Sequence, residues 1–438
     1  MVEKVRRIET LARAWRVICQ NGLSSQSLST RRETEEFARS SESRLTKIQR
    51  QLNLGRFEFA PARGAPIQKP GKNAIRPIVV APVASRIVQR AIHDVLLSVP
   101  LIRRLAENPF SFGAVRKKQG ALGAVPAAIQ AVLEAIRGGS QYVVRSDISA
   151  FFTKIPKPDV KAIVSDATRE SEFVDLFGKA IAVELENLAS LRERISDFPI
   201  HEIGVAQGNS LSPLLGNLFL GAFDQQMNDG ACRCFRYIDD FLILAPTRAQ
   251  ADDAFLRGRN LLLQRGLEVN EKKTLRSDVM RGFTFLGIEL KNGAIRPSRE
   301  SKRRLLDNIS SILEDSRYAF KSHRKSGMIP PQRCLIRTLA EVRGIVQGWG
   351  SHYSFCNEKN IFGQLDKALD EMFRTYLGCY KEEIRQLDSR GRRRLLGVPL
   401  LEELASRPFS WTEPAQGSEA SGHLAALPRV SNAAGGGP

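Results

Sequence analysis

Paired cysteines, clustered histidines and long apolar runs are all missing from this chain of 438 residues. Its six cysteines (Cys19, Cys232, Cys234, Cys334, Cys356 and Cys379) contain no CxxC spacing, which argues against a zinc ribbon or a disulfide framework. Cys232 and Cys234, on either side of Arg233, read as packing thiols rather than zinc ligands. The five histidines stand far apart, at 93, 201, 323, 352 and 423. No apolar stretch approaches the roughly 20 residues that span a bilayer, and the first residues have no secretory pattern. No membrane partner is expected, and the expected compartment is reducing and cytoplasmic. Acidic residues are also in short supply, 47 against 66 Lys and Arg, which leaves a net charge of +19. That excess favours a polyanionic partner, because each phosphate contact releases counterions. A basic ribosomal or membrane-surface protein would carry the same balance. The length allows two or three domains with a sizeable core.

What is present is organised around Phe235–Leu244, FRYIDDFLIL, in which Asp239 and Asp240 interrupt an apolar, β-branched and aromatic run. The run is short and has no helical cap, so it predicts a hairpin or strand–turn–strand. Burying two adjacent carboxylates is costly unless a cation compensates them, and hard divalent ions such as Mg²⁺ prefer carboxylate oxygen. A solvated turn that merely tolerates the pair is the alternative from this stretch alone. A second apolar strand, Gln141–Phe152, contains a single Asp147. Between them Gly204–Leu215, GVAQGNSLSPLL, is a Gly/Ser-punctuated loop running into an apolar helix, with Ser210 placed to cap it. One Asp on one strand and two on the next hairpin make a three-carboxylate cradle. Such a cradle can hold two Mg²⁺ ions about 3.5–4 Å apart for phosphoryl displacement.

These three stretches resemble the palm motifs A, B and C of reverse transcriptases. The resemblance implies an α+β right-hand polymerase, with fingers and palm of antiparallel sheet plus helices and a helical thumb. It implies Asp147, Asp239 and Asp240 as metal carboxylates, with the Ile148 carbonyl facing the second ion, and Mn²⁺ as a substitute for Mg²⁺. Tyr237 and Ile238 would line the nucleotide pocket with Gln207 and Gly208. Phe152 falls where the family places its steric gate, excluding a 2′-hydroxyl by clash, while Phe151 reads as core. Gly266–Thr274 resembles motif D, with Lys273 as the candidate to protonate the leaving pyrophosphate, and Phe283–Ile288 resembles the motif E strand pair that grips the primer. Upstream, two β-type runs separated by Pro70-Gly71-Lys72-Asn73 form a hairpin flanked by Lys69 and Arg76. It is similar to the fingers hairpin, where two cations close over a triphosphate; an edge hairpin protected by Lys is the bland alternative.

The expected organisation is a helical N-terminal extension over 1–55, fingers and palm over 56–290, a basic helical thumb or maturase-like region over 291–408, and a disordered tail over 409–438. The segment Arg116–Gly120 is a basic turn that could track template phosphates or remain a solvated loop. Nothing after the thumb resembles a His/Asn/His–Cys endonuclease or an RNase H constellation. The chain therefore resembles a compact bacterial reverse transcriptase related to group II intron proteins, of the domesticated, defence-associated type. The implied function is RNA-directed DNA synthesis, with a structured RNA template, dNTPs and a DNA product. The alternatives are an RNA-binding group II intron maturase or splicing factor, and a template-independent or protein-primed DNA polymerase.

Overall fold

The computed structural model describes residues 1–25, 27–68, 75–113 and 122–404, with the backbone alone at 324–326. Lys69, the basic turn at 116–120 and the tail from 409 lie outside the described residues. Two compact units result: Met1–Ser310 with Arg343–Phe373, and Ser311–Val342 with Arg374–Pro438. Among the described residues no helix is long and apolar enough to cross a membrane.

The chain opens with helices α1 (Val2–Arg6), α2 (Ile8–Leu23), α3 (Leu28–Ala38) and α4 (Ser41–Asn53). In α2, Leu11, Ala14, Trp15 and Ile18 recur at helical spacing, and all four are buried. The hairpin β1 (Arg63–Gln68) and β2 (Ile75–Val80) follows, then α5 (Val83–Leu96), α6 (Pro100–Ala106) and α7 (Ala124–Arg137). Next come β3 (Tyr142–Asp147), α8 (Phe151–Lys154), α9 (Lys157–Thr168), α10 (Ser171–Ile181), α11 (Leu188–Leu191) and α12 (Ser212–Met227). The predicted hairpin is β4 (Arg233–Tyr237) and β5 (Asp240–Ala245), after which come α13 (Arg248–Leu263) and β6 (Leu275–Asp278). A capping box starts α13: the Gln250 amide donates to Thr247 Oγ1 and the Thr247 amide to Gln250 Oε1.

Strand order in the central sheet is β4-β5-β3-β6, antiparallel throughout. Alternation sends its side chains into two cores. Val144, Phe241, Ile243 and Ala245 join one core with α2, α5, α9, α12 and α13. Val143, Leu242 and Leu244 join the other, with Ala128, Ile129 and Val132 of α7. A second sheet follows: β7 (Phe283–Phe285), β8 (Ile288–Lys291) and β9 (Ala294–Pro297), in that order. It is one strand larger than the pair expected from sequence, and Phe285, Ile288 and Leu290 pack into the core on the α7 face.

The remaining helices are α14 (Arg299–Ser326), α15 (Leu335–Tyr353), α16 (Asn360–Arg385) and α17 (Ser389–Leu396). The stretch between α15 and α16 pairs with β9: the Asn357 amide donates to the Ile295 carbonyl, and Asn357 Oδ1 accepts from the Ile295 amide. Tyr353 and Cys356 are buried beside Phe285 and Ile288. In the second unit a buried hydroxyl cluster joins Ser316 to Tyr376 at 2.9 Å and to Thr338 at 3.1 Å.

Candidate active site

Strand register brings the carboxylates together. Asp147, the last residue of β3, is the cross-strand partner of Asp240, the first of β5. Asp239 occupies the two-residue turn between β4 and β5 with Ile238, whose φ of +61° is the left-handed conformation that a β-branched residue rarely adopts. The Ile148 amide donates to the Asp239 carbonyl at 2.9 Å, which stitches the end of β3 to that turn. On the other side of β3, the Asn270 amide donates to the Asp147 carbonyl and the Ser149 amide to the Glu268 carbonyl. The loop after α13 is thereby fixed against Asp147, and it delivers Lys273. Its Nζ lies 2.6 Å from Asp147 Oδ2.

One further residue, which no motif singles out, completes the arrangement. Arg145 stands two residues before Asp147, so alternation puts both on one face, diagonal to Asp240. Its guanidinium donates to both oxygens of Asp240 and, through Nη1, to the Thr284 carbonyl of β7. The spacing Arg-x-Asp at a strand end was the available signal.

The three carboxylates consequently differ. Burial, then the charges of Asp147 and Asp240, push the Asp239 carboxyl up to about 6. Asp240 is also raised by burial, and Arg145 opposes that shift. Donor chemistry here is all oxygen and carries an excess of negative charge, which suits a hard divalent cation. As they stand, no three His, Cys, Asp or Glu side chains among the described residues converge closely enough to hold an ion. Two protein cations already stand against these carboxylates, Arg145 on Asp240 and Lys273 on Asp147. The residue types fit Mg²⁺, and an arriving ion would compete with these two cations for the oxygens.

The other candidates lie on β2, on β4 and in the segments that follow β3 and precede α12. Phe151 is buried and Phe152 only partly so, their rings 5.3 Å apart. Gln207 bridges to β2, its carbonyl accepting from the Val79 amide at 2.8 Å. Gly208 follows at φ +113°, where an added Cβ would stand 2.8 Å from the Val79 carbonyl oxygen, so the close approach that glycine permits is to a strand of the hairpin. Arg76 is exposed on β2, opposite Ile67. Tyr237 ends β4, paired with Asp240. Ser210 does not cap α12, and its hydroxyl has no partner. Asn209 Oδ1 takes the Leu211 amide instead, and the Ser212 hydroxyl donates to the Ala206 carbonyl, so the turn is closed by its neighbours.

The sheet, the hairpin with its paired carboxylates and the flanking helices define a nucleotidyl-transfer palm. The reverse transcriptase (RNA-dependent DNA polymerase) family matches residues 67–290, about half of the chain, and the protein belongs to that family. Protein YkfC of Escherichia coli is 25% identical over 275 residues, covering 55% of this chain and 69% of that protein. An uncharacterized 91 kDa protein in a cob intron of Schizosaccharomyces pombe is 26% identical over 183 residues, 41% of this chain. The match spans only 20% of that intron protein's length. Among solved structures, telomerase from Candida albicans aligns over 82% of this chain and 68% of its own, at 12% identity and a TM-score of 0.41.

Proposed function

We propose that this chain is an RNA-directed DNA polymerase that makes DNA by two-metal nucleotidyl transfer on a structured RNA. The observation that carries the reading is the pairing of Asp147 with Asp240 across β3 and β5, with Asp239 beside them, in a chain of the reverse transcriptase family. Asp147, Asp239 and Asp240, with the Ile148 carbonyl, would hold Mg²⁺; Mn²⁺ suits the same oxygen set. The bound ions supply charge neutralisation at the reacting phosphate and a more nucleophilic primer hydroxyl. Lys273, 45% exposed at the edge of the site, would leave Asp147 to donate a proton to the leaving pyrophosphate. Arg76, with Lys69, would neutralise the incoming triphosphate. Phe152 would close the sugar pocket, and Tyr237, Ile238, Gln207 and Gly208 would border it.

The finer reading, a dedicated RNA template and a role in antiviral defence, draws its support from analogy with compact bacterial enzymes. Relatives encoded within introns support a second reading, an intron maturase that binds RNA without needing polymerisation. Primer extension by the purified protein on RNA, with sequencing of copurifying nucleic acid, separates these. Template-dependent cDNA joined to a defined RNA is the expected result. RNA binding without any incorporation favours the maturase, and incorporation that ignores the template favours a template-independent polymerase.

A further inference from the structure

The penultimate residue of β4 is an arginine with no contact to solvent. Arg236 is 0% exposed and forks onto Asp224 of α12, itself 1% exposed, with Nε 2.7 Å from Oδ1 and Nη2 2.5 Å from Oδ2. Its third nitrogen, Nη1, does something else. It donates to Asn217 Oδ1 at 3.2 Å and to the backbone carbonyl of Ile238 at 2.9 Å. Ile238 is the residue held at φ +61°, immediately before Asp239. A β-branched residue persists in that conformation only where its surroundings over-determine it. Its other side is also closed: a Cβ added at Gly113 would fall 2.6 Å from Ile238 Cγ1, and the Gly113 carbonyl accepts from Asn217 Nδ2 at 2.9 Å. Asn217 thus braces both walls of the turn, one through Arg236 and one through Gly113.

We infer that Arg236 is a positioning residue for the metal-binding turn: anchored by Asp224 and Asn217, it pins the Ile238 peptide and thereby sets the direction of the Asp239 carboxylate. A buried ion pair is weak evidence for stability, since well-packed apolar replacements of both partners are often tolerated. The third donor is not required by the pair. Its target is the carbonyl of Ile238, the strained residue immediately before Asp239. The inference rests on the polymerase reading for the meaning of Asp239, and not for the clamp itself.

Removing Arg236 alone leaves Asp224 charged and buried, so Arg236→Ala can fail simply by unfolding. The informative variant is Arg236→Met with Asp224→Leu, which removes the charge pair and the clamp together; Arg236→Lys, which keeps a charge for Asp224, accompanies it. Each is measured in the full chain for thermal midpoint, binding of an RNA–DNA primer duplex, kcat and KM for a single dNTP, and Mn²⁺ affinity by electron paramagnetic resonance. The expected result is a folded protein with duplex binding and KM within about twofold of wild type. Its kcat should fall at least tenfold and its Mn²⁺ binding should weaken by a similar factor, with Arg236→Lys in between. A folded double variant with wild-type kcat and wild-type Mn²⁺ affinity would reduce Arg236 to core packing and overturn the inference. If wild-type protein fails to incorporate nucleotides the polymerase reading falls, while the Mn²⁺ comparison still decides the clamp.

Discussion

Arg145 and Asp240 form a forked ion pair across neighbouring strands, with Nη2 3.0 Å from Oδ2 and Nε 3.2 Å from Oδ1. The same guanidinium reaches the Thr284 carbonyl, so one side chain ties the carboxylate hairpin to β7. Two adjacent aspartates of identical chemistry therefore have different surroundings. Asp240 has a protein cation against it, whereas the chief influences on Asp239 are burial and the negative charge of Asp147. Asp239 is the carboxylate with more to gain from a metal.

Replacing both Asp239 and Asp240 by Ala should reduce incorporation to background while leaving the fold and RNA affinity close to wild type, because affinity comes mainly from phosphate contacts elsewhere. Of the single variants, Asp239→Asn should be the more damaging. Single-turnover extension and filter binding check both statements; wild-type rates in the double variant would sink the site assignment.

Stability of the metal-free protein should depend on Asp239 in a definite direction. Its carboxyl titrates near 3.8 in the unfolded chain and at about 6 in the fold. The folded state therefore binds the extra proton across that window, and this group's contribution to stability falls as pH rises from about 4 to about 6. A tenfold difference in proton affinity corresponds to about 1.4 kcal/mol, so the effect amounts to a few kcal/mol at most. Asp239→Asn should raise the thermal midpoint relative to wild type at pH 7.5 and leave it nearly unchanged at pH 4. Added Mg²⁺ should stabilise wild type at pH 7.5 far more than the variant.

Phe152→Ala should improve ribonucleotide use relative to deoxynucleotide use, since selection by clash is lost when the ring is removed. Phe151, 2% exposed in the main core, should behave differently. Its truncation should cost about 3–5 kcal/mol of stability without altering sugar choice. The ratio of kcat/KM for matched ribo- and deoxynucleotides, measured in both variants, reports where the gate is.

Lys273→Met should lower kcat by about 10²-fold with KM for dNTP nearly unchanged, the signature of a lost proton donor. The Asp147 ion pair is half exposed on the lysine side, so the thermal midpoint should hardly move. A variant with unchanged kcat and a raised KM would make Lys273 a binding group instead.

The hairpin and the strand before it were legible because strand chemistry is local: an apolar run, a break and alternation suffice to predict β4, β5 and β3. The same alternation carried Arg145 to the face of Asp147, but reading it required knowing that Asp240 lay diagonally across. Arg236 was less accessible still. Its partner Asp224 lies on a helix that precedes the strand, and only the packing of α12 under the sheet brings them together. Ser210 shows the converse, a residue with good capping chemistry whose neighbours Asn209 and Ser212 took the available partners first.

The return of Arg343–Phe373 to the first unit limits how this protein can be trimmed. A fragment reduced to residues 67–290 would be the natural choice for a minimal polymerase. It would strip α2 from α5, uncovering part of the apolar face of that helix, and strip Tyr353 and Cys356 from Phe285 and Ile288. Such a fragment presents two fresh apolar faces at opposite ends of its sequence, one inherited from the first fifty residues and one from a segment encoded some sixty residues downstream of β8. Soluble expression of that fragment should therefore require both flanks, and a stop codon placed anywhere before Tyr353 removes Tyr353 and Cys356 from the palm's own interior.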